Sequence, residues 1–313
     1  MHRFHHDDAL LKHAAISTGT GLAIEKLFRE AGFPENLFRS LIVSDEQADK
    51  LIAHPHVAAV TLTGSPGAGK IVGAMAAREL KKSVLELGGS DPYLILEDAN
   101  LELAADACVK SRMNNAGQVC IAAKRIIVMK TVQNKLLSLI REKMLSYKMG
   151  NPLDADITLG PLARKDIRDK VHAQVQTSIE KGAELIMGGK IPSERGFFYP
   201  PTLLNAVTPD MPAFDEEIFG PVIAIITANT EDEAIALAND SPYGLGAAIF
   251  TENLKKAESI AVEKIQAGTC AINTFVASDS RLPFGGIKGS GYGRELSAEG
   301  IRSFMNTKTI NIR

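Results

Sequence analysis

Short apolar runs alternate with amphipathic stretches along nearly the whole chain, and this alternation most limits what it can fold into. A strand covered on both faces reads as a continuous apolar run, whereas a helix packed on a sheet reads with a period near 3.6. Residues 17–31 carry Leu22, Ile24, Leu27 and Phe28 near helical spacing and predict a helix. Leu41-Ile42-Val43 reads as a short buried strand, 45–54 as a helix, Val57 to Leu62 as a second strand, and Gly69 to Leu80 as a helix. Ser83 to Leu87 is a further strand, stopped by Gly88-Gly89. Beyond it come helix 99–113, strand Lys124 to Met129 and helix 131–147, whose Val132, Leu136, Leu139, Ile140 and Met144 form a core-facing stripe. Helix 163–181, strand 183–187, strand 221–227, helices 231–239 and 253–265 and strand Gly268 to Asn273 complete the series. The fold class is α/β, with short βα units early in the chain that suit a doubly wound sheet. The tail Thr307 to Ile312 alternates like a strand that pairs outside its own domain.

A net charge of −2 provides no global attraction for nucleic acid or anionic membrane. No apolar stretch has the length of a membrane span, and Met1 to Asp8 contains no apolar signal-peptide core. Three cysteines at wide spacing, Cys108, Cys120 and Cys270, form no disulfide framework and fit a reducing, cytoplasmic compartment. His2, His5, His6 and His13 crowd the start of the chain. A frayed, solvated terminus accounts for them more simply than a metal site, and no metal is expected.

Three motifs carry chemistry. Gly64-Ser65-Pro66-Gly67-Ala68-Gly69-Lys70 follows a strand and opens a helix, a junction that points N–H groups at a phosphate. It nearly matches the nucleoside-triphosphate loop, but Ile71 stands where a magnesium-binding hydroxyl belongs. Dinucleotide binding, triphosphate binding and a plain tight turn all remain open from these residues. Cys120 ends the small-residue loop Asn115-Ala116-Gly117-Gln118-Val119, a permissive setting for a nucleophilic thiol or simply a structural cysteine. Cys108 and Cys270 lie in apolar periodic runs and read as inert core residues. Glu86 interrupts the apolar run Val84-Leu85-Glu86-Leu87. It is either the solvent side of an edge strand or a buried carboxylate raised toward a general base.

Together the motifs form an ordered set: Thr63-Gly64-Ser65, Leu85-Glu86-Leu87-Gly88-Gly89, Gly117-Gln118-Val119-Cys120, Glu216-Glu217-Ile218-Phe219-Gly220-Pro221 and Pro283-Phe284-Gly285-Gly286-Ile287-Lys288. This set resembles the aldehyde dehydrogenase superfamily across essentially the whole chain. Leu10-Leu11-Lys12-His13-Ala14, Leu87 to Pro92 and Ala277 to Arg281 are similar to the bacterial succinate-semialdehyde dehydrogenases within it. The resemblance implies a partial Rossmann-type cofactor domain over residues 1–89, an α/β catalytic domain over 90–290 and a C-terminal segment, 291–313, with an oligomerisation strand. It implies Cys120 as nucleophile toward an aldehyde, giving a thiohemiacetal and then a thioester, and Glu86 as general base for its hydrolysis. It implies NAD or NADP held by Lys12, Gly64 and Ser65 at the adenosine ribose and diphosphate, and by Glu217 and Phe219 at the nicotinamide ribose. That reading displaces the triphosphate loop.

The same resemblance sets further expectations. Ala15 replaces a glutamate that binds ribose hydroxyls in many NAD-preferring relatives, so a 2′-phosphate should be tolerated. Ser278, Arg281 and Arg112 are expected to contact a short, carboxylate-bearing aldehyde. The partners implied are this small molecule and further copies of the chain in a homo-oligomer, with no nucleic acid and no membrane. The family's oxyanion asparagine belongs some two dozen residues before Lys12, where only eleven residues stand. The chain therefore reads as an N-terminally truncated product, a fragment or a mis-started frame, and as a poor catalyst as written. A non-catalytic remnant acting as a binding or assembly partner is the alternative.

Overall fold

The computed structural model describes residues 8–313, so His2, His5 and His6 lie outside the described residues. The chain divides into two compact units, Met1–Val60 with Val72–Lys82, and Thr61–Ile71 with Ser83–Arg313.

In the first unit, β1 (Ala9–Lys12), α1 (Thr18–Glu30), β2 (Phe38–Leu41) and α2 (Asp45–Ala53) follow in order. β1 and β2 pair in parallel from Ala9↔Phe38 to Lys12↔Leu41. The strand expected at 41–43 thus sits earlier, at 38–41. Its register is set by β1, and Ser44 with Gln47 forms a capping box that commits the chain to α2. Asp45 in the first turn of α2 accepts from Lys12 Nζ at 2.6 Å. β3 (Ala59–Thr63) and α3 (Pro66–Arg78) contribute residues to both units.

The second unit continues with β4 (Lys82–Glu86, from Ser83 onward), β5 (Asp91–Ile95), α4 (Leu101–Met113), β6 (Ala123–Met129), α5 (Gln133–Leu145), α6 (Lys165–Glu180), β7 (Glu184–Met187) and β8 (Thr202–Asn205). There follow α7 (Pro212–Asp215), β9 (Val222–Ala228), α8 (Glu231–Asn239), β10 (Gly246–Phe250), α9 (Leu254–Glu263), β11 (Thr269–Ile272), β12 (Gly291–Tyr292) and α10 (Ser297–Ser303). Seven strands form one sheet in the order β11-β10-β5-β6-β9-β8-β7. All its pairings are parallel except β7 with β8. Tyr93, Leu94, Ile95, Ile126, Ile127 and Val128 are wholly buried, as continuous apolar strands under helices must be. Asn100 and Thr230 cap α4 and α8 with their side chains.

Because β5, β6, β9 and β10 run parallel and adjacent, their amino ends share one edge of the sheet. The segments entering those ends are Gly88–Ser90, Val119–Cys120, Glu217–Phe219 and Tyr243–Gly244. A smaller sheet, β12-β4-β3, completes the unit, and Gly291 pairs antiparallel with Glu86. The division at residue 89 expected from sequence therefore does not follow the packing: the C-terminal segment is stitched to β4. Residues 307–312 are exposed and carry no strand assignment. Among the described residues no helix is long and apolar enough to cross a membrane.

Candidate active site

The strand carboxylate is buried. Glu86 closes β4 at 4% exposure, which removes the solvent-facing reading. Among the described residues neither Oε1 nor Oε2 has a hydrogen-bond partner. Burial, reinforced by the nearby charge of Glu295 and opposed by Arg294, raises its pKa to about 7. The main chain around it is pinned. Gly64 N donates to Glu86 O at 2.9 Å, and Leu87 N donates to Ser290 O at 3.0 Å. Ser290 Oγ donates to Gly88 O at 2.6 Å and accepts from Gly244 N at 3.0 Å.

Cys120 is half-buried and reached through a left-handed turn. Asn115, Ala116 and Gly117 take φ of 50°, 53° and 77°, and such a run of residues is strained where it is not glycine. At Gly117 any Cβ would also collide with the Gly220 carbonyl. Gln118 steadies the turn, donating to Asn115 O at 3.1 Å and accepting from Ala163 N at 2.9 Å. Burial lifts the Cys120 thiol above its ordinary pKa, while Lys124 pulls it down and Asp91 and Glu217 push it up. Cys108 is wholly buried, and its thiol is raised far out of the neutral range by desolvation. Cys270, expected in the core, is instead half-buried at the sheet edge, on β11, and burial raises its thiol to about 12.

Glu217 enters from the segment before β9 and accepts from Gly89 N at 3.1 Å. A Cβ at Gly88 would collide with Glu217 Oε2, so the Gly88-Gly89 pair is what admits this carboxylate. Phe219 is half-buried in the same segment. The turn after β3 is shorter than expected: α3 begins at Pro66, not near Gly69. Proline suits the first helical position, and Ser65 Oγ accepts from Ala68 N at 3.3 Å as a cap. Gly67 to Lys70 are helical, so no loop is left to wrap a triphosphate. Gly64 and Ser65 are exposed at the amino end of this helix. Lys12 and Ala15 belong to the first unit.

The substrate candidates separate. Arg112 is wholly buried, donating from Nε to Val222 O at 2.6 Å and from Nη2 to Ile218 O at 2.5 Å. Burial lowers its pKa to about 9. It braces the main chain around Glu217 and is not open to a substrate carboxylate, which corrects the expectation. Arg281 is exposed, and its guanidinium is already held by Asp279, with Nη2 to Oδ2 at 2.6 Å. Ser278 lines a cleft of about 650 Å³ together with Asn114, Asn115, Val119, Ile121 and Phe275. The cleft flanks the cysteine loop and also takes in Lys110, a cation two residues before Arg112 on α4 that the sequence gives no reason to prefer over it.

Comparisons with known proteins identify the family of the chain. The model of the aldehyde dehydrogenase family matches residues 8–310. A succinate semialdehyde dehydrogenase of Escherichia coli strain K12, named for NAD(P)+, is 45% identical over 96% of this chain and 65% of its own length. An NADP+-named succinate-semialdehyde dehydrogenase of Deinococcus radiodurans is 43% identical over 96% of this chain and 63% of its own length. The crystal structure of succinic semialdehyde dehydrogenase from Streptococcus pyogenes with NADP+ superposes with a TM-score of 0.94 at 40% identity, covering 97% of this chain and 66% of that one. The chain thus spans just under two thirds of the length of these relatives.

Proposed function

The chain belongs to the aldehyde dehydrogenase family, and on that premise we propose that it serves the oxidation of a short aldehyde bearing a carboxylate, succinate semialdehyde, to the acid with NAD or NADP. The observation that carries this reading is a buried carboxylate, raised to about 7 and without a hydrogen-bond partner among the described residues, in the same unit as a half-buried thiol on a strained turn. Cys120 adds to the aldehyde carbon to form a thiohemiacetal. NAD(P), when bound, supplies the hydride acceptor that turns the reaction into an oxidation, leaving a thioester on Cys120. Glu86 then takes a proton from water, the oxygen attacks the thioester carbon, and the carboxylic acid leaves as the thiol is restored. The residues present suit the dinucleotide. The positive amino end of α3 at Ser65 faces a diphosphate, with the Gly64 N–H already held by Glu86 O and Gly64 serving as the turn into the helix, and Glu217, framed by glycines, offers a carboxylate to ribose hydroxyls, with Phe219 in the same segment. Lys12 is assigned to the adenosine ribose by motif matching. Substrate identity rests on the names of the relatives and on Ser278 at the cleft. A cytoplasmic homo-oligomer completes the reading, with the exposed, alternating tail 307–312 as the segment offered to a neighbouring copy.

The direct test is alkylation. Succinate semialdehyde should slow labelling at Cys120 while leaving Cys270 unaffected, as read by peptide mass mapping. Equal protection at both thiols, or at neither, would end this assignment.

Two specificity results are expected. Ala15 places no carboxylate at its position, so kcat/KM for NAD and NADP should lie within about a thousandfold, some 4 kcal/mol. Asp45 stands on Lys12 and opposes a 2′-phosphate, so Asp45→Ala should move the ratio toward NADP. An unchanged ratio would remove Lys12 from that contact. Arg281→Ala should raise KM for succinate semialdehyde about two- to fivefold, the worth of an exposed ion pair, with butanal unaffected. Equal effects on the two aldehydes would dismiss the carboxylate anchor.

A further inference from the structure

Lys124 is a buried cation that the reaction described above does not use. It lies at the start of β6, four residues after the nucleophile, at 3% exposure. Its Nζ donates to Cys120 O at 2.7 Å and to Val119 O at 3.0 Å, and stands 3.7 Å from Glu217 Oε1. We propose that Lys124 is a positioning residue for Cys120: its ammonium fixes the two peptide groups that flank the thiol and supplies the positive charge that favours its thiolate. The proposal rests on Cys120 being the nucleophile.

Peptide geometry carries the first half. No described peptide bond is cis, so each C=O points opposite to the N–H of the same peptide. A cation drawing Val119 O toward itself aims the Cys120 N–H away. Drawing Cys120 O aims the Ile121 N–H away as well, and that N–H favours the thiolate of Cys120. One ammonium thereby turns two donors to the side where the thiolate, or an oxygen anion formed at its attack, carries charge. The contact needs room: a Cβ at Gly89 would lie 2.7 Å from Cys120 O.

Charge carries the second half. Lys124 faces Glu217 and Asp91, which favour its charge, and Arg112, which opposes it. Cys120 faces Lys124, which favours the thiolate, and Asp91 and Glu217, which oppose it. The closest carboxylate to the ammonium is a loose one at 3.7 Å, already bonded to Gly89 N. A buried cation so weakly paired gains from a thiolate forming beside it.

The test is the pH dependence of iodoacetamide labelling at Cys120 in the whole chain, compared for wild type, Lys124→Met and Lys124→Gln, with thermal unfolding followed in parallel. The midpoint should rise by about one pH unit or more in both variants, so labelling near neutrality slows about tenfold. A lysine that only supports the fold would lower the unfolding temperature and leave the midpoint in place. A midpoint within a few tenths of wild type in either folded variant overturns the proposal. If neither variant unfolds cooperatively, Glu217→Gln carries the test. With both the carboxylate that competes for the ammonium and the negative charge that opposes the thiolate removed, the midpoint should fall, and an unchanged or higher one refutes the proposal. Failure of Cys120 as nucleophile shows separately, as absent aldehyde protection in the wild type.

Discussion

Glu86→Gln should leave an enzyme that acylates but does not release its product. Glutamine keeps the shape of the side chain and cannot accept the water's proton, so hydrolysis should fall about 10²- to 10⁴-fold while the acyl group accumulates on Cys120. Intact-protein mass after mixing with aldehyde and NAD(P) reads this directly. In the wild type, hydrolysis should rise with pH through about 7, where Glu86 ionises. The same substitution should stabilise the fold, and the sign follows from the raised pKa. The folded protein holds the Glu86 proton up to about 7, whereas the unfolded chain releases it near 4.5. Below 4.5 the two states bind equally. Between the two values folding stability drains away as pH rises, by as much as roughly 3 kcal/mol. Glutamine has no such loss, so its advantage in urea unfolding should be small at pH 4 and near full at pH 8. The same advantage at both pH values, or hydrolysis within tenfold of wild type, would show that Glu86 is not the base.

Cys120→Ala should cost about 10⁴-fold or more in turnover, since the acyl intermediate is carried on its sulfur. Cys108→Ala and Cys270→Ala should stay within a few-fold, because both thiols are held protonated by burial. A Cys120→Ala protein that still forms acid at an appreciable rate would require a different nucleophile.

What the sequence discloses and what it hides divide along physical lines. Glu86 was legible because a carboxylate inside an apolar run before two glycines has few places to go, and Cys120 because its small-residue loop breaks the helical period. β5 was not: Pro92 reads as a strand breaker, yet it sits near the start of the strand, where a proline is tolerated. β10 escaped because Gly246, Ala247 and Ala248 give a weak apolar signal, although the neighbours β5 and β11 bury it completely. Arg112 was misassigned by proximity to the loop. Its spacing held the better clue, since it falls four residues after Cys108 on one face of α4, and that face is buried. Lys124 gave no signal, because its partners are main-chain carbonyls that any sequence provides.

The stitch between Glu86 and the C-terminal segment has a consequence for how the protein is made. Ser290 reaches Gly88 across 202 residues of chain. At roughly 5–20 residues per second, some 10 to 40 s of translation separate the two ends of that contact. From residue 120 onward in that interval a nascent chain carries its cysteine without the final wall of the carboxylate's chamber. The Glu86 proton is then governed by water and not by burial, and the base acquires its tuned acidity only once residues 290–295 have folded back onto β4.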